Sequence, residues 1–258
     1  MSKGTSKLRL QVAKNYGELC KQVVQNILSL SRNVIAAHGH FSILLSGGAT
    51  PKGVYALMTG PEYRDKFQWQ KIHFFWGDER WVSADDAKSN YRMAAEAILT
   101  KVDIPPQNIH PIRTLDGTLE TAAAVYEKEL ASFFDLRNGE CPRFDLILLG
   151  LGQDGHTASL FPGDPALSET NRLVAAVSQK EMDPAERITV TLPVINHAAV
   201  IFFLASGREK AAILKVVLEG AGNNNLPAQR VTPQDGEVLW FTDQPAAGML
   251  RKKQEERI

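Results

Sequence analysis

Short apolar runs alternate with helical patterns along most of this chain, and this alternation limits its fold more than any other feature. Most of the runs are apolar on both faces, as in fully buried strands. Strands of this kind, separated by helices, are typical of a parallel sheet that is covered on both sides. We therefore expect a doubly wound, mainly parallel α/β fold, organised as a single domain over residues 1–258. The predicted strands are Leu8–Ala13, Phe41–Leu45, Ile72–Trp76, Phe144–Leu149, Arg187–Leu192, Val200–Leu204 and Val238–Phe241. The predicted helices cover residues 15–37, 87–99, 119–134 and 208–218, a segment starting at Thr50-Pro51, and the end of the chain.

The composition limits the partners and the compartment. The 29 Lys and Arg residues balance 29 Asp and Glu residues, so no net charge attracts nucleic acid or an anionic membrane. The longest apolar stretch, Ala198–Ala205, is far shorter than the roughly 20 residues of a spanning helix. Residues 1–7 lack the apolar core of a secretory signal, and Cys20 and Cys141 form no CxxC pair. We expect a cytoplasmic protein with free thiols, either a monomer or a weak homodimer.

Polar or glycine-rich segments follow four of the predicted strands. In a parallel α/β sheet, ligands bind in the crevice at the carboxyl ends of the strands. We therefore expect these segments to meet at one edge of the sheet and to form a site. They are Ser46–Gly48, Gly77–Arg80, Gly150–His156 and Ser206–Arg208.

The first segment has the features of a phosphate loop. Ser46, Gly47 and Gly48 join a strand to a helix, for which Thr50 is a suitable N-cap and Pro51 a suitable first residue. Unpaired N–H groups and the helix dipole favour an anion there, and glycines let a phosphate approach the backbone. A plain strand–helix turn is the alternative. The segment lacks GK[ST] and is not a Walker A loop.

The third segment imitates a dinucleotide-binding fingerprint. Residues 150–155 match G-x-G-x-x-G, but Pro162 leaves room for only about one helical turn, and no strand ending in an acid follows at about 20 residues. We interpret the segment as catalytic instead, with His156 as a general base and Asp154 as the group that orients its imidazole. A capping aspartate and a structural histidine are the alternative.

Basic residues cluster near two other segments. Arg208 and Lys210 fall in the first turn of a predicted helix, where cations oppose the dipole and a bound anion would offset the cost. Arg187 and Arg80 are candidates to join them. Solvent-facing basic side chains are the alternative.

Two other catalytic chemistries find no support in the sequence. The chain has no G-x-S-x-G elbow for a serine nucleophile. It has no H-E-x-x-H motif, and the isolated His38 and His40 are interpreted as structural histidines. We expect no metal site.

These segments resemble those of the 6-phosphogluconolactonases, and the resemblance extends from about Leu8 to Gln244. The matching strings are Leu45–Pro51, Phe75–Val82 with Ser89–Tyr91, Gly150–Gly163, Arg187–Leu192 and Ser206–Lys210. The related glucosamine-6-phosphate deaminases share a phosphate loop and an Asp-Gly-His segment. They also carry a glutamate shortly after that histidine, where this chain has Phe161.

The resemblance implies hydrolysis of 6-phospho-D-glucono-1,5-lactone without metal or cofactor. It implies His156, Asp154, Asp78 and Arg80 as catalytic residues. The implied substrate-binding residues are Ser46, Gly47, Gly48, Thr50, Arg80, Arg187, Lys210 and Arg208. Three alternatives remain open: a deaminase-like sugar-phosphate isomerase, a sugar-phosphate-binding regulator, and a dinucleotide-dependent oxidoreductase.

Overall fold

A computed structural model describes residues 8–220 and 225–251. Seven parallel strands form the main sheet in the order β1-β10-β9-β6-β2-β3-β5, and β4, β8 and β7 form a small antiparallel sheet. The strands are β1 (Leu8–Ala13), β2 (Phe41–Leu45), β3 (Ile72–Trp76), β4 (Asp78–Arg80), β5 (Ile109–His110), β6 (Leu146–Gly150), β7 (Val174–Ser178), β8 (Glu186–Val190), β9 (Val200–Ala205) and β10 (Glu237–Asp243). The helices are α1 (Tyr16–His38), α2 (Ala49–Met58), α3 (Asn90–Ala94), α4 (Leu119–Phe133), α5 (Leu192–Asn196), α6 (Ala211–Glu219) and α7 (Gln244–Ala247). The doubly wound fold is confirmed.

The core lies on both faces of the main sheet because its central strands are largely apolar and buried. All five residues of β2 are buried. Aromatic rings fill much of this core, and Phe203 stacks on Trp240 with ring centres 3.9 Å apart. α1 covers one face; Asn15 caps its first turn, and Gly39 ends it with a φ of 85°. No helix within residues 8–220 and 225–251 is long and apolar enough to cross a membrane.

The order of the strands puts a topological switch point between β2 and β6. From β2 the chain proceeds through β3 to β5 at one edge, and from β6 it proceeds through β9 to β10 towards the other. Crevices for ligands form at such points because the connections leave in opposite directions. The loops that follow β2 and β6 therefore form the centre of the expected site.

The sequence predicted some of the shorter strands and missed others. The predicted strand Arg187–Leu192 is present as β8, which pairs antiparallel with β4 and β7 in the small sheet. Residues 78–80 form β4 rather than a loop, and neither β5 nor β7 was predicted. β4 consists of three charged residues and β5 of only two residues, so neither gives an apolar run that a pattern reveals.

Helix boundaries also differ. The helix predicted over residues 87–99 begins at Asn90, and its second half, Ala95–Leu99, is a wider π turn. The helix predicted from Arg208 begins as a 3-10 turn, and α6 follows from Ala211. Of the predicted final helix only α7 is described, and both the tail from residue 252 and the first seven residues lie outside the described part of the chain.

Candidate active site

A cavity of about 360 Å³ opens at the carboxyl ends of β2, β6 and β9, within the size range of small-ligand pockets. All four segments predicted from the sequence contribute to its wall. Of the predicted site residues, Ser46, Gly47, Gly48, Thr50, Asp78, Arg80, His156, Arg187 and Lys210 line it. Asp154 lies beside the wall in contact with His156, and Arg208 is exposed and not part of the lining.

The phosphate loop presents a helix N-terminus to this cavity. Gly48, not Thr50, is the N-cap of α2; its φ of 104° favours glycine, and no side chain caps the helix. The first turn contains no acidic residue. The buried Tyr55 hydroxyl donates to the Ser46 carbonyl (2.8 Å) and accepts from the Ser46 N–H (3.0 Å), which fixes the loop against α2. The arrangement suits an anion.

Three cations line the same cavity, and none of them forms an ion pair with another described residue. Arg80 and Arg187 are register partners across β4 and β8, and Lys210 lines the cavity from the turn after β9. Among the described residues, none of the three has a carboxylate within 4.0 Å. Burial, and then the positive charge of Arg80, lower the pKa of Arg187. An anion bound between these side chains would relieve that repulsion.

Polar contacts hold the two arginines in place. Arg187 is only 4% exposed and donates from Nε to the Pro184 carbonyl at 3.1 Å. Arg80 donates from Nη1 to the Lys88 carbonyl at 2.6 Å, while its buried Nε has no hydrogen-bond partner. A buried donor without a partner costs about 1–3 kcal/mol, so this atom favours a ligand or a water molecule as its acceptor.

His156 and Asp154 form a tight pair. The Asp154 carboxylate lies 2.6 Å from Nδ1 of His156 and also accepts the His156 backbone N–H at 3.1 Å. An ionised carboxylate accepts only, so Nδ1 carries the proton and Nε2 of the neutral ring keeps its lone pair. The ring of Phe161 packs against the imidazole with ring centres 4.7 Å apart. This arrangement is suited to a general base.

The loop around this pair is compact and is not followed by a helix. The Gly152 N–H donates to the His156 carbonyl at 2.8 Å. A Cβ on Gly152 would overlap both His156 and the Asp154 carboxylate. Gly155 has a φ of 85°, and the next helical turn begins only at Pro165. The structure thus lacks the helix that a dinucleotide fingerprint requires here.

Asp78 connects the small sheet to the histidine segment. It is 5% exposed and accepts from the Ser159 hydroxyl at 2.7 Å and from Nδ2 of Asn90 at 3.2 Å. Sequence reasoning assigned no role to Ser159 or Asn90, although both lie inside the matching strings. Isolated polar residues that hold another side chain in place are not part of a periodic hydrophobic pattern, so the sequence gives no signal for them.

Glu79 is a second buried carboxylate that the sequence did not single out. It is 2% exposed and accepts from the backbone N–H groups of Arg80, Asn90 and Tyr91 and from the Ser89 hydroxyl, at 2.7–3.0 Å. Burial raises the pKa of this carboxyl, and the three backbone N–H groups oppose that rise. Glu79 therefore anchors the start of α3 to β4.

The segment after β9 is held by Asp243 at the end of β10. Its carboxylate accepts from the Ser206 hydroxyl at 2.5 Å and from the Gly207 N–H at 3.1 Å. The same carboxylate caps α7 through the N–H of Ala246. Lys210 thus projects from a turn that is fixed to the sheet.

Comparison with known proteins agrees with this geometry. A family model described as glucosamine-6-phosphate isomerases/6-phosphogluconolactonase matches residues 14–240. The chain is 48% identical to a 6-phosphogluconolactonase of Synechocystis sp. over 84% of this chain and 88% of that protein. The solved 6-phosphogluconolactonase of Trypanosoma brucei is 31% identical, with a TM-score of 0.86 over 96% of this chain and 100% of that one. A solved monomeric glucosamine-6-phosphate deaminase, 21% identical with a TM-score of 0.78 over 93% of this chain and 99% of that one, shares the fold.

Proposed function

The chain belongs to the glucosamine-6-phosphate isomerase/6-phosphogluconolactonase family, and on this basis we propose that it hydrolyses 6-phospho-D-glucono-1,5-lactone to 6-phosphogluconate. The observation that carries the proposal is one cavity that combines unpaired cations with a histidine–aspartate pair. The cations fit a phosphate, and the pair fits proton transfer from water. The reaction is a step of the oxidative pentose phosphate pathway.

The 6-phosphate binds where the uncapped N-terminus of α2 faces the cations. Ser46, Gly47 and Gly48 supply the backbone donors, Arg187 and Lys210 supply charge, and Thr50, Arg80 and Arg208 complete the proposed set. Arg187 is held almost fully buried, so it contributes a charge with little conformational freedom to lose on binding. Arg208 is the least supported member because it does not line the cavity.

His156 then activates water. Its Nε2 takes a proton from the water molecule that attacks C1, and the resulting tetrahedral oxyanion accepts hydrogen bonds from Arg80 or from a backbone N–H. The oxyanion collapses, the C1–O5 bond breaks, and the imidazolium returns its proton to the departing ring oxygen. Asp154 holds the imidazole in the required tautomer and stabilises the imidazolium, while Asp78 shapes the site.

The surroundings of His156 favour the lactonase over the deaminase-like alternative. Among the described residues, Asp154 is the only carboxylate hydrogen-bonded to this imidazole. Phe161 packs on the ring, and its side chain cannot transfer a proton. The regulator alternative would need no such pair, and the oxidoreductase alternative would need the missing helix after Gly155. The free thiols of Cys20 and Cys141 are consistent with the cytoplasmic location that we propose.

The test is hydrolysis of freshly generated 6-phosphogluconolactone, followed by proton release with the spontaneous rate subtracted. We expect acceleration by the wild-type chain, a loss of about 10²-fold or more in His156→Ala, and no ammonia from glucosamine 6-phosphate. His197→Ala is the matched control, because that imidazole bonds a loop carbonyl away from the cavity. Ammonia release without lactone hydrolysis would favour the deaminase, and full activity of His156→Ala would remove the proposed base.

A further inference from the structure

Asn90 lies between the phosphate loop and Asp78 without lining the main cavity. Its side chain is buried, with 2% of the residue exposed. Nδ2 donates to the Asp78 carbonyl at 2.9 Å and to the Asp78 carboxylate at 3.2 Å. On the other side the amide lies so close to Gly47 that a Cβ there would overlap Asn90 Oδ1. One amide therefore contacts two separate walls of the site.

The position of this amide is itself fixed. Asn90 is the first residue of α3, and Ser89 caps that helix. Glu79 accepts the Asn90 backbone N–H at 2.7 Å and three further hydrogen bonds around it. The short helix α3 thus begins at a defined residue, because the buried Glu79 carboxylate accepts hydrogen bonds from the free N–H groups of its first turn.

The contacts continue from Asp78 to the histidine segment. Ser159, three residues after His156, donates to the second oxygen of the Asp78 carboxylate at 2.7 Å. Gly47, Asn90, Asp78 and Ser159 therefore form a continuous series of contacts. It joins the loop that we assign to the phosphate with the segment that carries the base.

We propose that Asn90 is a positioning residue that sets the distance between the phosphate subsite and the attacking end of the site. The inference rests on the proposed function. A substrate held by its phosphate reacts only if its C1 lies at the correct distance from His156, and a displacement of about 1 Å can cost about 10²-fold in rate. Asn90 spans the gap between the two walls and fixes that distance without touching the substrate.

A double-mutant cycle tests the contact between Asn90 and Gly47. Gly47 does not have a positive φ, and the methyl group of Gly47→Ala would overlap the Asn90 amide. Asn90→Ala removes that amide and leaves room for the methyl group. We expect each single variant to lose about 10–100-fold in kcat/KM, and the double variant to be at least as active as Gly47→Ala alone. Losses that multiply independently would overturn the proposal.

An isosteric variant tests the donor to Asp78. Asn90→Asp keeps the shape but puts a carboxylate where Nδ2 donates. We expect its activity relative to wild type to rise as the pH is lowered, because protonation restores an O–H donor and removes the repulsion of Asp78. A pH-independent ratio would mean that the residue fills space only.

Asn108→Ala is the matched control for folding. Asn108 is also buried, and its Nδ2 donates to the carbonyls of Gln70 and Ile72, away from the cavity. This variant should lose a similar amount of stability with kcat and KM unchanged; altered kinetics would show that any buried amide matters and would overturn the specific role. An inactive wild-type chain would instead refute the proposed function.

Discussion

Replacing Gly152 by alanine tests how far the His156–Asp154 pair depends on its surroundings. The added Cβ would lie 2.5 Å from the Asp154 carboxylate oxygen and would overlap the imidazole as well. An ordinary contact begins at 3.4 Å, so the carboxylate must move by about 1 Å and the imidazole by more. The carboxylate cannot retreat without weakening its 2.6 Å contact with Nδ1. Both the tautomer and the position of the base are then disturbed.

The expected result is a fall in kcat of about 10²-fold with a smaller change in KM, because the phosphate loop is a separate segment. Steady-state hydrolysis of the lactone measures both constants, and thermal melting checks the fold. Gly17→Ala is the control, since a Cβ there meets only the Asn15 side chain at an ordinary 3.4 Å. A kcat within about threefold of wild type, in a variant that melts normally, would refute the claim that this glycine maintains the pair.

Three further predictions concern single side chains. Asp154→Asn should lower kcat by about 10²-fold or more in the lactone assay, because the amide no longer selects the tautomer of His156; an unchanged kcat would contradict the orienting role. Lys210→Ala should mainly raise KM for the lactone. Lys215→Ala, on the following helix and outside the cavity lining, should leave KM unchanged. Equal KM values for the two variants would show that the phosphate does not bind at Lys210. Burial, and then two neighbouring imidazoles, lower the pKa of His73 to about 4 in the folded chain. Between pH 6.5 and pH 4 the unfolded chain therefore binds more protons at this residue than the folded chain does. Part of the free energy of unfolding is lost over that interval, about 1–2 kcal/mol after allowance for solvent screening. Urea unfolding of wild type and His73→Gln at several pH values measures it, and identical pH dependence would contradict the assignment.

The sequence predicted the central strands and the segments at their carboxyl ends because both have strong local signals. A run such as Phe41–Leu45 is apolar at four of its five positions, and Ser46 and a glycine pair follow it. The strand β4 of the small sheet has no such signal. This strand, Asp78–Arg80, contains only charged residues and is buried because Glu79 and Asp78 find donors from distant segments.

The contribution of Asn90 was hidden for the same reason. Its partners Gly47 and Asp78 lie 43 and 12 positions before it in the sequence, and only the folded chain brings all three together. The N-cap of α2 was assigned to Thr50 because threonine is favoured there, but the positive φ needed at the turn selects Gly48. The preference of threonine for N-cap positions was outweighed by the backbone conformation that the turn before α2 requires.

The pairing of β1 with β10 has a consequence for how the protein forms. β1 is the first described strand and β10 the last, yet they lie side by side in register over six residue pairs. During synthesis on the ribosome, β1 therefore cannot pair until β10, more than 220 residues later, has emerged. Contacts this distant in sequence slow folding, because a long loop must close before they form. We expect the central strands β2 and β3 to associate early, and the edge that β1 occupies to be completed last.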